Sequence, residues 1–445
     1  IGGISMSGLA EILLDRNFKI SGSDRTETEL TAHLEQKGAL IFYGQKAENI
    51  PDDCDVVVYT AAIHPDNPEY AAAVSRNLPL LSRADLLGEL MNNYSSSIAV
   101  SGTHGKTTTT SMISHILLAS KSDPTISVGG ILPAIHGNIR IGSSPYFLTE
   151  ACEYTNSFLS LKPFLGIILN IEKDHLDFFK NLENIRASFK NFANLISGKG
   201  ALVINADIDD CGYITDGLKC SVYTYSAKND ADYTACDIEY DKFAHPTFTA
   251  LYKGEKIGRF SLKVPGEHNI SNALASIAAA RILGIDTDCI INGLASFTGT
   301  DRRFQIKGHI NGATIIDDYA HHPTEIKATL TAAKKFPHKK LWCVFQPHTY
   351  SRTIAFLDDF AEALSLADEV IMADIYSARE QNTFGVSSED IAKRINALGT
   401  PCTFYPTFGE IEKAVLPRLE KDDIFITMGA GDVYEIGEHL LKENS

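Results

Sequence analysis

The chain has 445 residues, 44% of them hydrophobic, an ordinary globular composition whose length suggests about three domains. A formal charge of −16 argues against a nucleic-acid partner, because a phosphate backbone needs a basic face. No apolar run reaches the length of a membrane span, no charged-then-apolar signal segment opens the chain, and the eight cysteines form no C-x-x-C pair. Membrane insertion, zinc sites and a disulfide framework are therefore not expected; buried free thiols in a cytoplasmic protein are.

The first segment, residues 1–94, alternates short strands (Phe18–Ser21, Ala39–Tyr43, Val56–Thr60) with helical stretches (Ser7–Arg16, Thr28–Lys37, Leu86–Met91). That alternation predicts a parallel α/β sheet. Ile1 reads as lying inside a strand, with residues expected ahead of it. Gly2-Gly3-Ile4-Ser5-Met6-Ser7-Gly8 follows, close to a dinucleotide fingerprint but without the G-x-G-x-x-G spacing. It reads equally as a tight strand–helix turn. Asp24, in Ser21-Gly22-Ser23-Asp24 at the end of the second strand, fits either a ribose contact or a helix N-cap.

Ser95-Ser96-Ser97 reads as a linker into the middle segment, residues 95–300. The apolar Ile98-Ala99-Val100 then leads into Ser101-Gly102-Thr103-His104-Gly105-Lys106-Thr107-Thr108, followed by a helical run through Ile113, Ile116 and Leu117. A glycine loop between strand and helix points backbone N–H groups at phosphate oxygens. Lys106 would add charge near the terminal phosphates and Thr107 a hydroxyl for magnesium, although Val100 stands where the full phosphate-loop pattern has its first glycine. Glu150-Ala151-Cys152-Glu153-Tyr154 follows the apolar Tyr146–Leu148, and Asn170-Ile171-Glu172-Lys173-Asp174-His175 follows Leu165–Leu169. Both put polar residues beyond a strand's carboxyl end, where open α/β sheets bind ligands. Glu267-His268-Asn269-Ile270-Ser271-Asn272 opens an Ala-rich helix (Ala273–Leu283) stopped by Gly284; His268 and Asn269 fit either its N-cap region or an adenine edge.

The third segment, residues 301–445, again alternates, with strands at Thr314–Asp317, Leu341–Phe345, Glu369–Ala373, Thr403–Tyr405 and Ile424–Thr427. Asp301-Arg302-Arg303-Phe304 opens it. Asp318-Tyr319-Ala320-His321-His322 and Gln346-Pro347-His348-Thr349-Tyr350-Ser351-Arg352 follow two strands, a density of Asp, His, Tyr and Arg that core packing does not explain. Gly429-Ala430-Gly431-Asp432 reads as a structural glycine turn.

GTHGKTTTT, EACEY, NIEKDH, GEHNISNA, TDRRFQ, DDYAHHPTE and FQPHTYSRT occur in the order and rough spacing of the Mur ligase family, which the chain resembles over nearly its whole length. FQPHTYSRT favours an alanine-adding member over one that attaches a ready-made tripeptide. The resemblance implies an α/β protein of three domains: an N-terminal Rossmann-like domain for a UDP-sugar, a central phosphate-loop ATPase-like domain, and a C-terminal Rossmann-like domain for the amino acid. It implies an ATP-dependent ligase of peptidoglycan precursor synthesis. That enzyme joins L-alanine to the carboxylate of UDP-N-acetylmuramate through an acyl phosphate, with two magnesium ions, as a monomer or homodimer.

By the same resemblance, Gly102, Thr103, His104, Gly105, Lys106, Thr107 and Thr108 hold ATP phosphates, with His268, Asn269 and Asn272 at the adenine and Asp318 at the ribose. Thr107 and Glu150 hold one magnesium ion and His175 the second. Arg302 binds phosphate, reaching it when the domains close; Lys106, His175 and Arg302 carry the chemistry. Gly2, Gly3, Ser7, Ser23 and Asp24 fall to the UDP-sugar, and Tyr319, His321, His348 and Arg352 to alanine. The chain departs from its relatives at Ser5 (commonly glycine), at Thr349 (commonly arginine) and at Phe189, where several sister enzymes carry a carbamylated lysine and Lys190 lies one residue off. A nucleotide-sensing protein without ligase chemistry is the rival of another class; a nicotinamide-dependent dehydrogenase is opposed by the broken fingerprint and the downstream phosphate loop.

Overall fold

A computed structural model describes residues 1–378 and 380–442. The chain divides into two compact units. The first comprises Ile1–Ile171, Ile185–Thr224 and Ala275–Cys289; the second comprises Glu172–Asn184, Tyr225–Leu274 and the residues from Ile290 onward.

The first unit contains a sheet whose strands run in the order Ala201–Asn205, Leu165–Ile168, Ser96–Ser101, Tyr146–Glu150, Thr125–Leu132 and Gly137–Arg140. All neighbours are parallel except the last pair. The central strand pairs Ile98 with Leu165 on one side and Leu148 on the other, and all three side chains are fully buried. A parallel strand covered on both faces reads as a continuous apolar run, which is why Ile98-Ala99-Val100 was legible. The expected linker is a correction: Ser96 and Ser97 already pair with Tyr146 and Phe147, and the buried Ser97 hydroxyl accepts from Phe164 N at 3.1 Å.

The segment before it differs from the single sheet expected. Ser21–Asp24 pairs in parallel with Leu40–Tyr43, and Val57–Tyr59 with Leu80–Ser82, as two separate two-stranded sheets. Ile1 lies outside any strand, and the strand read at Phe18–Ser21 starts only at Ser21 because Phe18 faces solvent. The helix Ile4–Asp15 begins earlier than read. Glu29–Gln36 and Arg83–Met91 each start on a capping box, from Thr28 and Ser82, which satisfies N–H groups that the first turn leaves unpaired.

The second unit holds an antiparallel meander, Tyr233–Tyr240, Pro246–Tyr252 and Glu255–Ser261, that the sequence reading did not separate. It also holds a six-stranded sheet ordered Gln305–Ile310, Ala313–Asp318, Ile424–Met428, Leu341–Phe345, Glu369–Met372 and Cys402–Phe404; only the first pair is antiparallel. Helices cover both faces. Ile326, Leu330, Phe360, Leu364, Ile391 and Ile395 pack on one, and Ile411, Val415, Ile436 and Leu440 on the other. Each such fully buried side chain contributes about 1.5–3 kcal/mol of transfer free energy, and the layering is that of a doubly wound α/β fold.

Among the described residues, no helix is long and apolar enough to cross a membrane. All eight cysteines are free, but only Cys220 and Cys343 are buried; the other six are partly exposed.

Candidate active site

In the first unit the central strand ends in the loop Gly102–Gly105. Gly105 sits at φ +83°, a left-handed conformation that glycine takes without a Cβ penalty, and it is the N-cap of the helix Lys106–Ala119. That helix has no side-chain cap and no acidic residue in its first turn. Its first N–H groups and the positive end of its dipole are thus left for an anion. Asn170, from the neighbouring strand end, laces the loop: its side chain accepts from His104 N at 2.7 Å and donates to His104 O at 3.0 Å, and its carbonyl accepts from Thr103 N at 3.1 Å.

Lys106 folds back over this loop. Its Nζ donates to Gly102 O at 2.5 Å and Thr103 O at 3.1 Å and lies 3.0 Å from Glu153 Oε2. Burial disfavours the ammonium, but Glu153, with Cys152 and Glu150, outweighs it and holds the pKa above its ordinary value. Glu153 was contained in EACEY without being singled out.

Glu150 ends its strand and accepts from Gly129 N at 2.6 Å. A Cβ at Gly129 would lie 2.8 Å from Glu150 Oε2, and one at Gly130 would lie 3.4 Å from Thr107 Cγ2. Glu150 and Thr107 therefore flank the same stretch of strand, in space that exists because residue 129 has no side chain. A carboxylate and a hydroxyl are the hard oxygen donors that magnesium takes, so the pair fits such an ion. A cavity of about 300 Å³ opens there, lined among others by Ser5, Arg83, Gly129, Glu150 and Cys152. Arg83, which no motif flagged, donates to Ser5 Oγ at 2.9 Å.

The remaining first-unit candidates are largely bonded among themselves. Gly2 N donates to Asp24 Oδ2 at 2.7 Å, so Asp24 secures the glycine turn and caps no helix. Ser23 donates to Glu69 at 2.7 Å; Ser7 is buried and donates to Ile4 O within its own helix; Gly3 is that helix's exposed N-cap. Phe189 is buried, edge-on to Phe158 at 5.2 Å, and cannot ligate a metal; Lys190 Nζ stands over the Tyr213 ring at 4.4 Å.

In the second unit, Asp174 gathers the residues read as the amino-acid pocket. Its Oδ1 accepts from Arg352 Nη2 at 2.9 Å and Nε at 3.3 Å, and its Oδ2 lies 3.7 Å from His175 Nε2. Burial would raise this carboxyl's pKa, but Arg352, with His175 and His321, holds it well below the carboxylate range. Arg352 Nη1 lies 3.2 Å from His348 Nδ1; His321 sits 6.0 Å from His348 and edge-on to Tyr319 at 5.4 Å. Burial pushes His321 down to about 3 and His348 to about 4, so both rings are neutral at pH 7.

The backbone is strained between His348 and Arg352. Thr349 adopts φ +68°, ψ 146°, a region nearly confined to glycine and costing about 1–3 kcal/mol. Its N–H donates to Tyr376 O at 2.9 Å and its carbonyl accepts from Thr353 Oγ1 at 2.7 Å. Tyr376 stacks on His348 at 5.5 Å, and Glu380 accepts from Ser351 N at 2.8 Å. Neither Tyr376 nor Glu380 carried a sequence signal.

Arg302 is fully engaged within this unit: Nε donates to Asp317 Oδ2 at 3.0 Å, Nη1 to Gly431 O at 3.0 Å and Nη2 to Gly429 O at 2.7 Å. It pins the glycine turn to the start of the sheet, whereas Arg303 has a looser ion pair with Glu325 at 3.8 Å. Asp318 is buried and accepts from Phe304 N at 2.8 Å and Ala320 N at 2.7 Å; burial lifts its pKa to about 6. The helix His268–Ile282 starts at His268 itself, whose ring lies against Gly266 and whose pKa burial pushes down to about 4. Asn269 and Asn272 are buried, joined at 3.0 Å, and Asn269 also donates to Pro265 O at 2.7 Å.

Family models match three stretches: "Mur ligase family, catalytic domain" over residues 1–95, "Mur ligase middle domain" over 100–280 and "Mur ligase, glutamate ligase domain" over 302–431. The UDP-N-acetylmuramate–L-alanine ligase of Agathobacter rectalis is 57% identical over 443 residues, covering 100% of this chain and 96% of that protein. The like-named protein of Lachnospira eligens is 54% identical, covering 99% and 96%. Among solved structures, the UDP-N-acetylmuramate–alanine ligase of Thermotoga maritima is similar with a TM-score of 0.83 at 31% identity, covering 100% of this chain and 97% of that one. A murein peptide ligase of Psychrobacter arcticus follows the fold with a TM-score of 0.72 at 25% identity, over 99% and 97%.

Proposed function

The chain belongs to the Mur ligase family and is an ATP-dependent ligase, and we infer that it joins L-alanine to the carboxylate of UDP-N-acetylmuramate in peptidoglycan precursor synthesis. The observation that carries the reading is the 57% identity running the whole length of the chain to a ligase of that name.

A carboxylate does not acylate an amine at neutral pH because its leaving group is too poor. Attack of the muramate carboxylate on the terminal phosphoryl group of ATP forms an acyl phosphate and releases ADP. The alanine amine then adds to the acyl carbon, and the tetrahedral intermediate collapses to the amide and phosphate. This is mainly positioning and charge neutralisation.

We assign the phosphates to the loop Gly102–Thr108, where the uncapped N-terminus of the helix Lys106–Ala119 and the Lys106 ammonium offset their charge; Glu153 keeps Lys106 protonated in their absence. Thr107 and Glu150 would hold one magnesium ion. His175 would serve a second without help from a lysine carbamate, since Phe189 is in the core. Bound magnesium neutralises charge on the phosphate oxygens. In the segment Asp301–Phe304, Arg302 fixes the chain and Arg303 is the guanidinium less committed to partners. The UDP-sugar falls to the Gly2–Asp24 region and adenosine to the His268–Asn272 and Asp318 positions. Arg352 takes the alanine carboxylate, flanked by Tyr319 and the neutral His321 and His348. Three domains with limits near residues 94 and 300 fit these assignments, and its ATP and UDP-sugar substrates suit the cytoplasm.

The test is ADP release with UDP-N-acetylmuramate and each amino acid in turn. Release dependent on L-alanine, with formation of the amide, supports the reading; ATP binding without any amide product overturns it.

A further inference from the structure

The Arg352–Asp174 pair is unusual in where it lies. Both side chains are more than nine-tenths buried, yet Asp174 belongs to the loop that follows Leu165–Ile168 and Arg352 to the short helix Tyr350–Ala355 that follows Leu341–Phe345, among three imidazoles rather than among apolar core residues. Breaking such a pair for one ligand charge alone would leave the other group charged, buried and unpaired, which is strongly unfavourable. A ligand carrying both charges removes that cost. An α-amino acid is such a ligand: its carboxylate matches the guanidinium fork, and its ammonium matches a carboxylate with two acceptor oxygens. His321 and His348 beside the pair add ring edges that can hydrogen-bond the ligand.

Resting on the proposed function above, we propose that Asp174 receives the amino group of the incoming alanine, so that the Arg352–Asp174 pair opens to admit the zwitterion and each member stays paired with it. Asp174 then fixes the nitrogen that becomes the nucleophile, while Arg352 fixes the carboxylate at the other end. This makes Asp174 a binding and orienting residue for the amine, distinct from the neighbouring His175.

Two half-ligands separate the roles. L-Alaninamide keeps the ammonium and lacks the carboxylate; propionate is the reverse. Each is measured as a competitor of labelled-alanine incorporation by the full-length enzyme with saturating ATP and UDP-N-acetylmuramate. In the Asp174→Asn variant, inhibition by alaninamide and the KM for alanine should worsen by at least about tenfold, the loss expected for a hydrogen bond to a charged group. Inhibition by propionate should hold or strengthen, because Arg352 has lost its internal partner. Arg352→Gln should show the opposite split, and Asp174→Glu should recover part of the alaninamide response. Parallel weakening of both half-ligands in Asp174→Asn, or an unchanged alanine KM, overturns the proposal and leaves Asp174 as a prop for Arg352. If the Asn variant does not fold, the Asp174→Glu and Arg352→Gln splits decide on the same criterion. Failure of the wild type to incorporate alanine would instead refute the proposed function.

Discussion

Lys106 Nζ lies 3.0 Å from Glu153 Oε2, with Glu153 almost wholly buried, so the Lys106 ammonium is tethered to a fixed counter-charge within the protein itself. The tether holds the ammonium over the carbonyls of Gly102 and Thr103, beside the uncapped N-terminus of the helix Lys106–Ala119. On the proposed assignment, little reorganisation is needed when phosphate takes over from the carboxylate as partner.

Lys106→Ala should lower turnover at least about a hundredfold, the loss typical of one preorganised electrostatic stabiliser. Steady-state kinetics on a variant with a wild-type circular dichroism spectrum checks this. Near-normal turnover would remove Lys106 from the chemistry.

Gly129→Ala should act on the metal site without touching a ligand. The added Cβ meets Glu150 Oε2 at 2.8 Å and forces that carboxylate aside. A displacement on the order of 1 Å can cost about a hundredfold in rate. The variant should need more magnesium for half-maximal activity, as Glu150→Ala should, and chelation by EDTA should silence both variants and the wild type. A wild-type magnesium titration curve for Gly129→Ala would show that Glu150 does not hold the ion.

Arg302→Ala tests stability against phosphate binding. It would leave Asp317, 1% exposed, without its guanidinium partner and release the Gly429–Gly431 turn. Breaking a buried pair in this way costs about 3–5 kcal/mol. The urea midpoint should therefore fall. A wild-type midpoint combined with a raised KM for ATP would instead make Arg302 a direct phosphate ligand.

Asp318 should give stability a pH signature. Its folded pKa of about 6 exceeds the ordinary aspartate value of 3.8, so the folded state binds the extra proton. Its favourable contribution is therefore full below pH 3.8 and is lost as pH rises through 6, by about 3 kcal/mol in all. Asp318→Asn should flatten that component when urea unfolding is followed from pH 4 to 7. An identical slope in both proteins would place the carboxyl's pKa at its unfolded value.

The strand and glycine loop at Ile98–Gly105, the strand ending at Glu150 and the strands of the last segment were legible because each strand is an apolar run ending abruptly in polar residues. Ser96 and Ser97 were not, since a serine pairing in a strand, buried at Ser97, has the same letters as a linker. The meander Tyr233–Ser261 mixes exposed and buried residues without clean alternation, interrupted by register shifts at Cys236/Glu239 and Ala250/Leu251. Asp24 shows that a strand-end carboxylate can be absorbed by backbone, here Gly2 N. Asp174 could not be singled out within NIEKDH because its meaning lies in Arg352, 178 residues further on.

The most direct measurement uses UDP-N-acetylmuramate carrying ¹⁸O in its free carboxylate, with ATP and L-alanine, and mass spectrometry of the products. Activation through an acyl phosphate predicts one ¹⁸O atom transferred to the released phosphate for each amide formed, with the other retained in the UDP-N-acetylmuramoyl-alanine product. Unlabelled phosphate, or hydrolysis of ATP with no alanine-containing product, would contradict the account.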